Sequence, residues 1–99
     1  MVQINWTTQA VSDLKDISDY IGKDSQYYAK LHVVRLKSRV EILKQQILIG
    51  SLVPEFNRTD LRQLNQGRYR IIYKVINENR VDILTVHHTA RDLSKRNLL

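Results

Sequence analysis

The hydrophobic pattern changes period early in the chain, from two residues to about 3.6. Apolar residues first alternate with polar ones, at Val2, Ile4 and Trp6. This spacing is typical of a half-buried β-strand, and we expect the tryptophan to lie in the core. Two threonines that can cap a helix follow, at Thr7 and Thr8. A stripe at helical spacing comes next, formed by Val11, Leu14, Ile17 and Ile21. The pattern predicts a helix that ends at Gly22, with an acidic outer face formed by Asp13, Asp16 and Asp19.

A second helical pattern begins after a short polar join. Either Asp24 or Ser25 can cap its start. Its apolar seam steps by four and three residues through Ala29, Val33, Leu36, Val40, Leu43 and Ile47. A seam with this spacing is typical of a helix packed lengthwise against another element. Because the join is short, we expect the two helices to form an antiparallel hairpin.

Strand periodicity dominates the chain beyond a loop marked by Gly50 and Pro54. Residues 61–64 form a short alternating stretch, and residues 68–76 form a clear strand. One face of that strand is apolar and should meet the helices, through Tyr69, Ile71, Tyr73 and Val75. The other face is largely basic, through Arg68, Arg70, Ile72, Lys74 and Ile76.

Residues 81–88 return after a polar turn as the neighbouring antiparallel strand, and they are apolar enough to be central in the sheet. We therefore predict a single α+β domain over residues 1–99. It has an N-terminal strand and an α-helical hairpin packed on one face of a small, mostly antiparallel β-sheet. The opposite face of the sheet is expected to be basic.

Composition narrows the class of protein. A chain of 99 residues that is 42% hydrophobic can bury one core unaided. The absence of cysteine excludes a disulfide framework, a thiolate zinc site and cysteine catalysis. No apolar run approaches the roughly 20 residues that cross a bilayer, and the N-terminus lacks a signal-peptide pattern. We expect a cytoplasmic protein without a membrane partner.

Positive charge is concentrated in the second half of the chain. The formal net charge is +6, and residues 58–99 carry nine lysines and arginines against four acidic residues. Such a balance favours an acidic protein partner or a polyanion. A basic nucleic-acid-binding module is disfavoured, because the sequence has neither a recognition-helix motif nor the interleaved exposed aromatic residues used for stacking.

Four short motifs follow the helical hairpin in order. They are G-x-x-V-P-E at residues 50–55, R-x-L at 62–64, Y-R-I-I-Y-x-V at 69–75 and V-x-I-L-x-V-x-H-x-x-R-D-L at 81–93. With the order of elements, this set resembles the RelE/ParE superfamily of toxins from type II toxin-antitoxin systems, over nearly the whole chain. The resemblance implies a toxin that arrests growth, is neutralised by a cognate antitoxin protein and uses no metal or other cofactor.

The resemblance leaves two targets open, because RelE-like members cut mRNA on the ribosome and ParE-like members poison DNA gyrase. Metal-free RNA cleavage needs a base for the 2′-hydroxyl, cations that stabilise the phosphate and an acid for the leaving oxygen. Arg70 matches the arginine of the RelE strand motif. The candidates for the other roles are Arg62, Arg91 and one of the adjacent histidines, His87 or His88. Adjacent strand residues point to opposite faces, so the two histidines cannot act as a pair.

Departures from the RelE pattern favour the gyrase target. RelE-like toxins carry lysines on the strand before the motif arginine, whereas Arg62 is the single cation of residues 61–67 here. The longer helical hairpin and the strand ending in V-H-H are more similar to the ParE branch. We therefore expect inhibition of DNA gyrase, with mRNA cleavage as the alternative. The residues expected to contact the antitoxin or the target are Arg68, Lys74, His88, Lys95 and Arg96.

Overall fold

In the computed structural model, which describes residues 1–91 and Leu93, two helices cover one face of a five-stranded sheet. The strands are β1 (Gln3–Trp6), β2 (Ser51–Leu52), β3 (Leu61–Gln66), β4 (Tyr69–Asn77) and β5 (Arg80–His88). Their order in the sheet is β1-β5-β4-β3-β2. β1 runs parallel to β5, and every other pair of neighbours is antiparallel. The predicted fold class and the central position of β5 are confirmed.

The helices α1 (Thr8–Gly22) and α2 (Gln26–Arg39) form the predicted hairpin. Each begins at a hydroxyl cap, because Thr7 Oγ1 accepts from the Ala10 N–H and Ser25 Oγ accepts from the Tyr28 N–H, both at 3.2 Å. Within the described part of the chain, neither helix has the length and apolar character needed to cross a membrane.

α2 is shorter than its apolar seam predicted. It gives way to a 3₁₀ helix over Val40–Lys44. The seam still continues into the core, because Val40 and Leu43 are as deeply buried as Leu36. The spacing of apolar residues therefore predicted burial correctly but not the change of helix type, since three-residue steps fit both kinds of helix.

The main core lies between the hairpin and the sheet. The predicted inward row of β4 is confirmed, with Ile71 and Tyr73 fully buried and Tyr69 and Val75 partly buried against this core. Trp6 packs against the same core while remaining partly exposed. Each fully buried aliphatic or aromatic side chain contributes about 1.5–3 kcal/mol of transfer free energy. This core also includes Leu14, Ile17, Leu36, Leu43, Val81 and Ile83.

The opposite face of the sheet is not simply basic, as the sequence had suggested. Ile72 is fully buried there in a small second core with Val53, Leu61 and Leu93. Residues 53–60, which we call the covering loop, contribute Val53 and a packed phenylalanine to this core. An isolated apolar residue in a basic row does not reveal whether a loop covers it, so strand periodicity missed this layer.

Two positions of α1 differ from the prediction. Val11, assigned to the buried stripe, is 54% exposed, whereas Asp13, assigned to the outer face, is 7% exposed. Asp13 Oδ2 accepts a hydrogen bond from the Thr85 hydroxyl and, at 3.1 Å, one from the Val86 N–H of β5. Gln9 Nε2 donates to Asp13 Oδ1 at 2.8 Å. Helical periodicity cannot foresee partners on a distant strand, and these bonds are what makes the buried carboxylate tolerable.

Candidate functional site

The arginine of the strand motif lies in a polar cluster on the loop-covered face of the sheet. Arg70 Nη1 and Nη2 donate to Oε2 and Oε1 of Glu55 at 2.6 and 2.8 Å, so the ion pair is bidentate. Arg70 Nε and Nη2 also donate to Gln63 Oε1 at 2.8 and 2.5 Å. The Arg70 side chain is only 11% exposed. We call these three residues the arginine clamp, because Glu55 and Gln63 together fix the guanidinium.

Strand register and loop packing assemble the arginine clamp. Gln63 pairs with Ile72 in the β3–β4 ladder, which places it diagonally opposite Arg70 on the same face. Glu55 belongs to the covering loop, whose Val53 is buried against Ile72. The second core therefore determines where the carboxylate lies.

The clamp also sets the protonation of its acid. Hydrogen bonds from Arg70 hold the pKa of the Glu55 carboxyl below its ordinary value, against the opposing effect of burial. The carboxylate is therefore ionised at neutral pH and acts only as an acceptor. A carboxylate with a lowered pKa is also a weak general base, which limits what it can do for a hydroxyl nucleophile.

The two adjacent histidines have different surroundings, as expected for neighbours on a strand. His87 is buried, pairs with Arg70 across the β4–β5 ladder, and has its Nε2 3.1 Å from the Arg91 carbonyl oxygen. His88 is half-buried and pairs with Tyr69, whose ring it meets edge-on at a centroid distance of 5.4 Å. Only His87 is therefore placed beside the arginine clamp.

Arg62 lies on the helix-facing side of the sheet, where it pairs with Tyr73. Its Nη1 donates to the carbonyl oxygens of Leu48 and Gly50 at 3.2 and 3.0 Å. Tyr73 holds the same segment, because its hydroxyl donates to the Ile47 carbonyl at 2.9 Å and accepts from the Gly50 N–H at 3.0 Å. A Cβ at Gly50 would lie 2.6 Å from that hydroxyl oxygen, so glycine is required by space. Arg62 and Arg70 thus lie on opposite faces of the sheet.

The predicted catalytic and contact residues do not form one cluster. Arg70 and His87 share a face, Arg62 lies on the other face, and Arg91 is exposed just beyond β5. Arg68 is exposed at the β3–β4 turn, and Lys74 is half-buried on β4. Two predicted contact residues lie outside the described residues, namely Lys95 and Arg96.

Sequence reasoning assigned no role to the two residues that hold Arg70. Glu55 belongs to the V-P-E motif, and it is the single acidic residue between Glu41 and Asp60. An isolated acid ahead of a basic strand was the available signal for an ion pair. Nothing in the sequence marked Gln63, because its role depends on the β3–β4 register.

An open groove of about 940 Å³ lies on the other side of the molecule, between β1 and the helical layer. β1 is an edge strand, so the described residues leave its outer edge unpaired. Three lysines and two acids accompany the apolar lining, namely Lys15, Lys37, Lys44, Asp19 and Glu41. The apolar lining includes Val2, Ile4, Trp6, Val11, Val33 and Val40. An apolar groove beside a free strand edge is a form of surface that accepts a helix or an extended peptide.

Comparison with known proteins gives concordant results. Residues 4–93 match the family model described as the ParE toxin of type II toxin-antitoxin system, parDE. Toxin RelE2 of Caulobacter vibrioides is 32% identical over 91 residues, which are 92% of this chain and 99% of that protein. A solved structure of the chromosomal ParDE TA system from P. aeruginosa has a TM-score of 0.72 at 23% identity, covering 89% of this chain and 96% of that one. The last match supports the fold.

Proposed function

Because the chain belongs to the ParE toxin family of type II toxin-antitoxin systems, we propose that it arrests growth by inhibiting DNA gyrase. The observation that carries this proposal is the arginine clamp. An arginine that stabilises a reacting phosphate must direct its N–H groups at the charge that develops. Here Arg70 directs them at Glu55 and Gln63 instead.

Two other catalytic cations were predicted, Arg62 and Arg91. Arg62 is engaged with backbone carbonyls on the opposite face of the sheet. Arg62 is therefore not placed beside Arg70 to share a phosphate, and Arg91 is exposed just beyond β5. Inhibition by binding has no such requirement, since it depends on contact area and a few anchoring side chains.

The helical hairpin offers such anchors. Tyr20 at the end of α1 and Tyr27 and Tyr28 at the start of α2 are each more than half exposed. The rings of Tyr27 and Tyr28 meet edge-on at 5.4 Å. Tyrosine is enriched at protein interfaces because it combines a large apolar ring with a polar tip. We infer that this tyrosine surface contacts gyrase.

The antitoxin is assigned to the groove between β1 and the helices. The groove supplies an apolar lining and a free strand edge, and lysines on its rim suit a segment with an apolar stripe and carboxylates beside it. This assignment places the antitoxin on a different face from the arginine clamp.

Ribosome-dependent mRNA cleavage is the second candidate, and one arrangement favours it. Glu55, Arg70 and His87 meet on one face of the sheet, which brings a carboxylate, a guanidinium and an imidazole together. These are the group types that a metal-free ribonuclease uses. For this activity Glu55 has to release Arg70 when RNA binds.

The two candidates are separated by assaying wild type, Arg70→Ala and the control Arg35→Ala, which changes an exposed α2 arginine. Each is tested for supercoiling by purified gyrase and for mRNA cleavage on programmed ribosomes. The expected result is inhibited supercoiling or trapped cleavage complexes, with intact mRNA, for all three. Codon-specific cuts that vanish only in Arg70→Ala would overturn the gyrase proposal. Replacing the three hairpin tyrosines by alanine should weaken inhibition of supercoiling.

A further inference from the structure

A second cavity, of about 600 Å³, lies between α1 and the ends of β4 and β5 that adjoin the β3–β4 turn and Arg91. Its walls include three aromatic rings, those of Tyr20, Tyr69 and His88. Buried Ile17 and Val86 also line it. Its exposed charged groups are Asp16 and Arg91. Asp13, which is buried and already hydrogen-bonded to Thr85 and Val86, is a second carboxylate in the lining. The cavity therefore combines aromatic surface, one cation and two carboxylates, of which Asp16 is the exposed one, within a volume typical of small-molecule sites, about 300–1,000 Å³.

The cation of this cavity is the guanidinium of Arg91. The Arg91 side chain is exposed and forms no ion pair or hydrogen bond within the part of the chain that the structure describes. This contrasts with Arg70, which an internal carboxylate holds. A guanidinium beside aromatic rings, with no ion pair to any described residue, suits a planar ligand that carries a phosphate.

The tyrosine hydroxyls supply further donors. Burial raises the pKa of the Tyr69 hydroxyl, nearby Tyr20 raises it further, and the charge of Arg91 opposes both. Tyr69 therefore keeps its proton at neutral pH and can donate it. Tyr20, Tyr69 and Arg91 all line this cavity.

His88 presents one defined donor. Its Nδ1 accepts a hydrogen bond from the Ala90 N–H at 3.1 Å, so the neutral ring carries its proton on Nε2. The edge-on contact with Tyr69 fixes the plane of the ring. Asp16 adds an acceptor of the kind that binds an amino group of a base or a sugar hydroxyl.

We propose that this cavity binds a nucleoside 5′-monophosphate, with the phosphate at Arg91 and the base against the tyrosine and histidine rings. Rings of this kind stack with any base, and the carboxylate of Asp16 accepts from the amino or hydroxyl groups of the same ligand. A simple inorganic anion would use Arg91 but neither the rings nor Asp16. Most of the site lies on the helix side of the sheet, although His87, the cross-strand partner of Arg70, also contributes to its lining. The proposal does not depend on which target the toxin has.

The test is calorimetric titration of the full chain with GMP, AMP, CMP, UMP and inorganic phosphate at constant ionic strength. At least one nucleotide should bind saturably and more tightly than phosphate. Arg91→Gln and Tyr20→Ala should each weaken it by about tenfold, since a charged hydrogen bond or a stacked base is worth about 1.4 kcal/mol or more. Arg35→Gln, an exposed cation on α2, is the control for general charge attraction and should leave the affinity unchanged.

The natural ligand could be a free nucleotide or the 5′ end of a nucleic-acid strand, since both carry a phosphate and a base. Titration with a 5′-phosphorylated oligonucleotide distinguishes the two. Binding of either at the Arg91 site supports the proposal. Phosphate that binds as tightly as every nucleotide, loss of affinity equal in the Arg35 and Arg91 variants, or no saturable binding would each overturn it. Because Arg91 and Tyr20 are exposed, unchanged thermal melting is expected for both variants.

Discussion

The two faces of the sheet hold an arginine each, and they hold it differently. On the helix side, Arg62 binds backbone carbonyls at the edge of a core to which the described residues contribute twelve buried side chains. On the loop side, Arg70 binds an ionised carboxylate over a core to which the described residues contribute four buried side chains. We infer from this difference that the helix side supplies most of the stability. The loop side depends on a thin apolar layer and a charged pair that responds to pH.

The largest effect should come from the main core. Leu36→Ala removes a fully buried side chain of α2, so the free energy of unfolding should fall by about 2–5 kcal/mol. Urea denaturation followed by circular dichroism measures the change. Val34→Ala alters the same helix at an exposed position and should change stability by no more than about 0.5 kcal/mol. If Leu36→Ala lowered the free energy of unfolding less than Val53→Ala does on the loop side, the helix side would not supply most of the stability.

Substitution of Asp13 tests whether hydrogen bonds, as well as apolar contacts, stabilise the packing of α1 on β5. Asp13→Ala leaves the Thr85 hydroxyl and the Val86 N–H without their acceptor, so the free energy of unfolding should fall by about 1–3 kcal/mol. The matched control is Asp19→Ala, an exposed aspartate of the same helix. If the two variants melt at the same temperature, the buried carboxylate contributes nothing to that attachment.

The pH dependence of stability tests whether the ion pair between Glu55 and Arg70 stabilises the loop side of the sheet. The pKa of the Glu55 carboxyl is lowered by Arg70, so the ionised pair stabilises the folded state above the unfolded pKa of about 4.5, and this contribution is lost as pH falls through the lowered folded pKa. Glu55→Gln should reduce stability by about 1 kcal/mol at pH 7, and the difference from wild type should shrink with increasing acidity.

The measurement for this prediction is urea denaturation of both proteins from pH 7 down to pH 3. Glu78→Gln, at an exposed turn position without an ion pair among the described residues, is the control. A difference between Glu55→Gln and wild type that stays constant with pH would show that the pair has no electrostatic role.

The smallest effect of a single substitution should come from the lysines that line the groove between β1 and the helices. Affinity for the cognate antitoxin should fall as salt rises, because part of the attraction is between exposed charges. Lys37→Gln should weaken binding by about fivefold or less, whereas Arg35→Gln, outside the groove on the same helix, should not. Affinity measured by calorimetry that is flat from low to high ionic strength would exclude this contribution.

Local signals in the sequence were sufficient for the elements and the main core. Thr7 and Ser25 cap the helices, and the inward row of β4 follows from alternation alone. The burial of Asp13 and Ile72 could not be predicted in this way, because each depends on a partner far along the chain. The arginine clamp could not be predicted for the same reason, because its three residues lie on a loop and two strands that are separated in sequence.

The parallel pairing of β1 with β5 has a consequence for the timing of folding. Trp6 pairs with Ile83, so the earliest strand to be synthesised waits for one of the last before it can enter the sheet. Pairings this distant in sequence slow folding and leave apolar surface exposed meanwhile. We expect the groove beside β1 to assemble only after β5 has left the ribosome. A nascent chain that ends before β5 should neither resist protease nor bind its antitoxin.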